Sequence, residues 1–193
     1  EHFHQLQFSS PNYWKKVADL DLSGGDESGM WMLNFPYPYD STRVEATFSE
    51  YEQSLSAAIS NPELPAFRKL EASRQQLRQT LSEKEAKYQA FQLWQEGVAR
   101  YTELLVAEWA EKSFTSSDAF MALPDYVSYS EAHRALMDSI LNQLDAHAIA
   151  QIGRVVFYSA GAAEAYLLDF QDSDWKRSYF DDMPSLEAHT VKF

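Results

Sequence analysis

The sequence predicts a mainly α-helical fold, and three features lead to this prediction. Residues 41–59 carry apolar side chains at spacings of three and four, as on one face of a helix: Val44, Phe48, Tyr51, Leu55 and Ile59. Residues 64–112 consist almost entirely of residue types that favour helix. The 193 residues include only six glycines and seven prolines, which are the residues that most often interrupt helices.

The boundaries of the first half follow from residues that start and stop helices. Residues 1–8 read as the end of a helix, which Pro11 and Asn12 terminate. Residues 12–40 form an irregular region that contains a Gly-rich loop and an extended aromatic stretch, with room for a short hairpin or edge strand. From Asp40 or Ser41, as N-cap, long helices are expected over residues 41–112.

The second half is predicted from the same signals. Ser82, followed three residues later by Glu85, has the spacing of a capping box, so a helix break is expected at Leu81–Ser82. Phe114 to Ser130 reads as a loop, and residues 130–193 as the C-terminal helices. Gly153 and Gly161 within this part predict close packing or a break. We therefore expect one helical domain over residues 1–193.

Composition and charge exclude several classes of function. The formal net charge is −13, so the surface should repel phosphate backbones, and nucleic acid is not an expected partner. The chain has no cysteine, which excludes disulfides, a thiol nucleophile and cysteine-based metal sites. No apolar run approaches the ~18–20 residues of a transmembrane helix, so no membrane span is expected.

The head of the chain carries two residues typical of a metal site. Glu1 and His4 form an E-x-x-H pattern, and a histidine before Glu1 would complete H-E-x-x-H. In that motif two histidines on one helix face bind zinc and the glutamate activates water. The chain opens with Glu rather than Met, so we expect that it is truncated within this motif. Alone, His4 could equally be an ordinary histidine at a helix end.

Two later segments carry residues that belong with such a site. Residues 93–103 read LWQEGVARYTE and residues 157–169 read FYSAGAAEAYLLD. They resemble the W-x-x-E-G-x-A-x-Y and Y-x-x-G-x-x-x-x-x-L segments of gluzincin zinc metallopeptidases, and of zinc aminopeptidases in particular. In the first segment Trp94 stands one position nearer to the glutamate than in that pattern. The resemblance implies the helical C-terminal part of a thermolysin-like catalytic domain that hydrolyses peptide bonds with Zn²⁺.

The resemblance also implies roles for individual residues. Glu96, the glutamate before the glycine, corresponds to the third zinc ligand beside His4 and the missing histidine. Glu1 corresponds to the general base, and Tyr158 to the residue that stabilises the oxyanion. Gly97 would allow two helices to approach closely. Peptides or proteins would be the substrates, and the 193-residue segment by itself is expected to be inactive.

Two alternatives remain open from the sequence. His4 and Glu96 are 92 positions apart, far more than in typical gluzincins, so Glu45, Glu50 and Glu52 compete with Glu96 as ligand. Tyr158 is one of eleven tyrosines and could serve packing alone. The second hypothesis for the whole chain is a non-catalytic helical binding or scaffold protein with an acidic surface.

Overall fold

The structure, a computed structural model, describes residues 2–172, 174–181 and 184–186. In these residues the fold is mainly α-helical and contains no strand, which confirms the predicted fold class. The helices in chain order are α1 (His2–Ser9), α2 (Tyr13–Ala18), α3 (Trp31–Asn34), α4 (Thr42–Ser60), α5 (Leu64–Thr80), α6 (Glu83–Gln92), α7 (Val98–Ser113), α8 (Asp118–Met121), α9 (Tyr129–Asp145), α10 (Ile149–Ile152), α11 (Val156–Gln171) and α12 (Trp175–Ser178). A π-helical turn, Leu93–Gly97, joins α6 to α7, and a 3₁₀ turn, Gly153–Val155, precedes α11.

Helix α11 is the centre of the molecule. It contacts α4, α7, α9 and the π-helical turn, and it is buried from Val156 to Ala165 except at Tyr158. Four of its buried side chains are alanines, which let neighbouring helices pack close to its axis: Ala160, Ala162, Ala163 and Ala165. Within the described residues, no helix is both long enough and apolar enough to cross a membrane.

A very close contact joins the π-helical turn to α11 through two glycines. A Cβ atom placed on Gly97 would lie 2.3 Å from the Cα atom of Gly161. A Cβ atom on Gly161 would lie 2.5 Å from the carbonyl oxygen of Leu93. Both positions therefore require glycine, because the two backbones touch each other directly. This agrees with the close helix approach that was expected at Gly97 and the close packing expected at Gly161.

Several predicted helix ends are found in the structure. Ser82 and Glu85 form the capping box that was expected at the start of α6. Helix α4 has Ser41 as its N-cap residue and Asn61 as its C-cap residue. The expected break at Gly153 is present, and this residue has a positive φ of 55°. Only glycine adopts such a backbone readily.

Other expectations need correction. Residues 12–40 form two short helices, α2 and α3, where an irregular region with a possible hairpin was expected. Tyr13 of α2 and Trp31 of α3 are buried in the main core, and the burial of these aromatic side chains stabilises the two short helices. The predicted loop from Phe114 to Ser130 contains α8, whose N-cap Ser117 accepts a hydrogen bond from the Phe120 amide. Residues 187–193 of the predicted final helix lie outside the described residues.

We expect Gly97→Ala to destabilise the fold by about 3 kcal/mol or more, the upper end of the overpacking range, because the added methyl group would overlap backbone atoms of Gly161. Thermal or urea unfolding would measure the loss. Gly25→Ala is the control: it also adds one methyl group, but nothing lies within 4 Å of that position, where φ is 93°. Its cost should be limited to the roughly 1–2 kcal/mol of a left-handed backbone. Equal losses for the two variants would contradict the packing argument.

Candidate functional site

Three of the residues singled out in the sequence line one open cleft. The cleft has a volume of about 620 Å³ and lies between α1, α7, α9 and the start of α11. His4 enters it from α1, Glu96 from the π-helical turn and Tyr158 from α11. Apolar and polar side chains complete the lining: His2, Phe3, Ala99, Arg100, Thr102, Glu103, Val106, Ser139, Gln143 and Val155. Residues from three distant parts of the chain are therefore brought together.

His4 and Glu96 meet directly despite the 92 positions between them. The Nε2 atom of His4 lies 3.3 Å from the Oε2 atom of Glu96. Only 10% of the Glu96 side chain is exposed, and 22% of the His4 side chain. The structure thus brings together the two residues that the motif resemblance paired as ligands of one ion.

The pair perturbs the protonation of both partners. The hydrogen bond to Glu96 raises the pKa of His4 above its usual value of 6.5, although partial burial acts in the opposite direction. Burial alone would raise the pKa of Glu96. The hydrogen bonds from His4 and Tyr158, with the charges of His4 and Arg154, instead hold that pKa below the usual 4.5. Glu96 is accordingly a carboxylate at neutral pH, despite its burial.

Tyr158 lines the same cleft and has Arg154 as a cationic neighbour. Its hydroxyl group accepts a hydrogen bond from the Nη1 atom of Arg154 at 3.1 Å. The same Nη1 atom lies 3.7 Å from Oε1 of Glu96. Burial and the Glu96 charge raise the pKa of Tyr158, so this hydroxyl keeps its proton at neutral pH. Tyr158 can therefore donate a hydrogen bond within the cleft.

A fully buried glutamine is hydrogen-bonded to the ring nitrogen of His4 that does not contact Glu96. Gln7 lies one turn after His4 on α1 and is fully buried. Its Oε1 atom is hydrogen-bonded to the Nδ1 atom of His4 at 2.7 Å. Its side-chain nitrogen donates to the carbonyl oxygen of Gln95 at 3.0 Å and to the hydroxyl of Tyr179 at 2.7 Å. Helix α1 is thereby tied to the backbone of the π-helical turn next to Glu96.

The remaining sequence candidates lie elsewhere. Glu1 is outside the described residues. Glu52 is buried against His147, with 3.1 Å between Oε2 and Nδ1, and Glu50 accepts a hydrogen bond from Gln76. Glu45 lies in the first turn of α4. None of these three glutamates lines the cleft that contains His4.

Sequence reasoning missed two residues of this site. Arg154 stands four positions before Tyr158, and Gln7 stands three positions after His4. Both spacings place side chains on the same side of a helical segment, so they were open to detection once His4 and Tyr158 had been chosen. Neither residue type is diagnostic of a catalytic site, and for this reason the sequence alone did not select them.

The two donors fit part of a zinc site. Two ligands of a tetrahedral zinc ion with bonds of 2.0–2.2 Å lie about 3.3–3.6 Å apart, and the observed separation is 3.3 Å. A catalytic zinc takes three protein ligands. Over residues 2–172, 174–181 and 184–186, no group of three or more His, Cys, Asp or Glu side chains could hold a metal ion. A third ligand would have to come from outside the described residues.

Comparisons with known proteins do not assign a family. No family model, no curated protein and no solved structure matches this chain.

In metal-free protein, the stability contributed by the pair should depend on pH in a defined way. Glu96 has a lowered pKa, so its contribution is present above pH 4.5 and is lost as pH falls through the folded value. His4 has a raised pKa, so its contribution is complete below pH 6.5 and is lost as pH rises through the folded value. The pair should therefore stabilise most between pH 4.5 and 6.5.

His4→Gln tests this expectation, because glutamine keeps a donor but cannot carry a charge. Its cost should be about 1 kcal/mol inside that window, the difference between a charge-assisted and a neutral hydrogen bond, and should shrink above it. Urea unfolding with a chelator present would measure the cost at each pH. In a Glu96→Gln background, the same His4 substitution should lose its pH dependence. An unchanged dependence there would show that another group is responsible.

Proposed function

We propose that this chain contributes part of the catalytic centre of a zinc-dependent peptidase, with His4 and Glu96 as two of the protein ligands. The observation that supports the proposal most is the separation of 3.3 Å between Nε2 and Oε2, which equals the edge of a zinc tetrahedron. The gluzincin-like sequence motifs predicted both residues as ligands without reference to the fold. The proposed third protein ligand is a histidine preceding Glu1.

Zinc, Glu1 and Tyr158 would have different roles in the reaction. Zinc, when bound, would polarise water and the carbonyl group of the substrate. Glu1, in the position of the general base, would accept a proton from the attacking water and pass it to the leaving amine. Tyr158 would donate a hydrogen bond from its hydroxyl group to the oxyanion that develops on the substrate.

Arg154 would assist Tyr158 in this step. Its Nη1 atom already donates to the oxygen of Tyr158, so the hydrogen of that hydroxyl must point away from Arg154. That hydrogen serves Glu96 in the free site, and the oxyanion would replace Glu96 as its acceptor. Its guanidinium group also lies over the Tyr158 ring, 5.8 Å from the centroid. The positive charge would stabilise negative charge developing beside Tyr158. Arg154 therefore adds electrostatic stabilisation where Tyr158 supplies the hydrogen bond.

The cleft has the dimensions of a site for a peptide segment. Its volume of about 620 Å³ falls within the range of about 300–1,000 Å³ usual for ligand sites. Phe3, Val106 and Val155 offer apolar contacts, while Arg100 is occupied by Glu103 and Ser139. A peptide or protein substrate is thus the partner that we propose.

A non-catalytic binding protein is the second candidate, and one observation favours it. A protonated His4 and an ionised Glu96 neutralise each other without any metal, and such a pair stabilises a fold on its own. Zinc content separates the two candidates. A full-length gene product that contains stoichiometric zinc and hydrolyses peptides supports the peptidase, and one that does neither supports the binding protein.

Glu96→Ala in the full-length gene product should weaken zinc binding, because a carboxylate ligand is lost. Metal analysis after dialysis, with peptide hydrolysis measured in parallel, would show the loss. Glu103→Ala is the matched control: Glu103 lines the same cleft but pairs with Arg100, so its removal should leave zinc in place. Stoichiometric zinc in Glu96→Ala would refute the ligand assignment, and Glu45, Glu50 and Glu52 would then be tested.

Tyr158→Phe should lower kcat by about 10²–10³, the usual loss for one oxyanion donor, and should leave zinc content unchanged. Steady-state kinetics on a peptide substrate would measure the effect. Tyr166→Phe provides the control, since Tyr166 lies on the same helix but outside the cleft, and it should keep wild-type kcat. Loss of zinc in Tyr158→Phe would indicate that this tyrosine organises the ligands instead.

A further inference from the structure

The connection between α7 and α9 leaves its apolar side chains uncovered. Residues 114–127 form this connection, and none of them is buried. Five of its large apolar side chains are exposed: Phe114, Phe120, Met121, Leu123 and Val127. Trp109 of α7, which is 59% exposed, packs on Phe114 with 4.9 Å between the ring centroids. These six side chains form an apolar patch, and exposed apolar side chains gathered in one region mark an interaction site.

The connection owes its shape to its own contacts and not to the core. Helix α8 lies within it, has no buried residue, and makes at most marginal contacts with the other described helices. The Phe120 ring packs edge-on against Tyr126, with 5.4 Å between the centroids. The Tyr126 hydroxyl donates a hydrogen bond of 3.1 Å to Ser116. Compact surface segments that are packed by their own side chains are frequently functional.

A groove opens beside the apolar patch. It has a volume of about 660 Å³ and lies between α7, α9 and the C-terminal half of α11. Glu111 and Ser130, which flank the connection, both line it. On α7 the lining extends from Tyr101 to Glu111, which is about 15 Å of helix and leaves room for about three turns of a bound helix. The α7 residues that line the groove differ from those that line the cleft with His4.

The groove combines apolar and acidic side chains. Its apolar lining comes from three helices and includes Leu104, Leu105, Met137 and Phe170, the last of which is 54% exposed. Among the described residues that line it, four carboxylates stand against one arginine, Arg134: Glu108, Glu111, Asp138 and Asp169. A segment with apolar and basic side chains complements this lining in both respects.

Three of these carboxylates already have a neighbour in the chain that is or can become cationic. The pairs are 2.5–2.6 Å apart: Glu108 with Lys112, Glu111 with His133, and Asp169 with Lys176. The side chains of the two lysines are 67% and 42% exposed. Exposed ion pairs contribute little to stability, so a basic side chain of a partner can replace either lysine. The pairs therefore do not close the groove to a basic segment.

We propose that the groove and the apolar patch form a docking surface for a partner protein that presents an amphipathic segment with apolar and basic side chains. The apolar side chains enter the groove beside Leu105 and Phe170, and the basic ones pair with Glu108 and Asp138. The formal charge of −13 disfavours a second copy of this chain and an anionic membrane as occupants, because both carry charge of the same sign. The inference does not rest on the proposed peptidase, since the groove and the cleft have different lining residues.

Fluorescence anisotropy with a designed peptide tests this surface. The labelled probe is a helical peptide with leucines on one face and lysines on the other, and its counterpart has glutamate in place of each lysine. The lysine peptide should bind saturably and the glutamate peptide should not. Trp109→Ser should weaken binding of the lysine peptide about tenfold or more, because buried tryptophans dominate the affinity of many interfaces.

Trp14→Ser is the matched control for Trp109→Ser. Trp14 is 60% exposed but lies on α2, outside the groove and the apolar patch. Both substitutions change exposed side chains, so circular dichroism of the two variants should match that of the wild type. Trp14→Ser should keep the wild-type affinity for the lysine peptide. No loss of affinity in Trp109→Ser, or equal binding of the two peptides, would overturn the proposal.

A second pair of variants separates docking in the groove from general attraction of a basic peptide to an acidic protein. Glu108→Gln combined with Asp138→Asn removes two carboxylates from the groove, whereas Glu27→Gln combined with Glu63→Gln removes two exposed carboxylates elsewhere. The first combination should weaken binding of the lysine peptide several-fold, and the second should leave it nearly unchanged. Equal losses in the two would refute the docking site.

Two further results would assign the surface to another occupant and so contradict the proposal. One is a wild-type dimer in sedimentation analysis that Trp109→Ser dissociates, which would identify a second copy of the chain. The other is binding to phosphatidylcholine vesicles that Trp109→Ser abolishes, which would identify a lipid surface. We expect the wild type to show neither behaviour.

Discussion

The candidate site depends first on the contact between Gly97 and Gly161. The π-helical turn and α11 touch through their backbones at these two residues, with no side chain between them. Glu96 precedes one glycine, and Tyr158 lies three positions before the other. Because the helices cannot separate or rotate without losing this contact, the carboxylate and the phenol are held side by side. A larger residue at either glycine would push apart the two halves of the site.

The π-helical turn contains Glu96, the glutamate of the candidate site. Such turns insert one extra residue into a helix and occur frequently at functional sites. Here the carbonyl oxygens of Trp94 and Gln95 accept hydrogen bonds from Tyr179 and Gln7, so side chains from both ends of the described chain bind the turn. The first helix, the middle of the chain and its last described helix are thereby joined within one buried network.

Much of the helical pattern could be predicted, because periodicity and capping are local properties. The capping box at Ser82, the start of α4 after Ser41 and the break at Gly153 each follow from a few neighbouring residues. The π-helical turn could not be predicted, since residues 82–112 favour helix throughout and the extra residue is stabilised by distant side chains. The two short helices α2 and α3 were missed for a related reason: burial of Tyr13 and Trp31, not helix propensity, holds them.

The site was predictable only where a motif marks its residues. His4, Glu96 and Tyr158 stand in recognisable patterns, and the structure places all three in one cleft. Gln7 and Arg154 carry no such pattern, because glutamine and arginine occur on most helices. Both residues belong to the site because of their contacts: the buried amide of Gln7 is hydrogen-bonded to His4, and the cation of Arg154 lies beside the phenol of Tyr158. Such properties depend on three-dimensional contacts, which no local pattern in the sequence encodes.

The charges around Glu96 explain why this glutamate tolerates its burial. His4 lies near one of its carboxylate oxygens and Arg154 near the other, and together with Tyr158 they supply hydrogen-bond donors or positive charge. Removing the proton from Nε2 of His4 takes away one of these donors while the carboxylate stays ionised. The vacated position then lies between a ring nitrogen and a carboxylate oxygen, both of which are good ligands for zinc. In the proposed peptidase, zinc and a proton would therefore compete for the same place, and zinc binding would release a proton from His4.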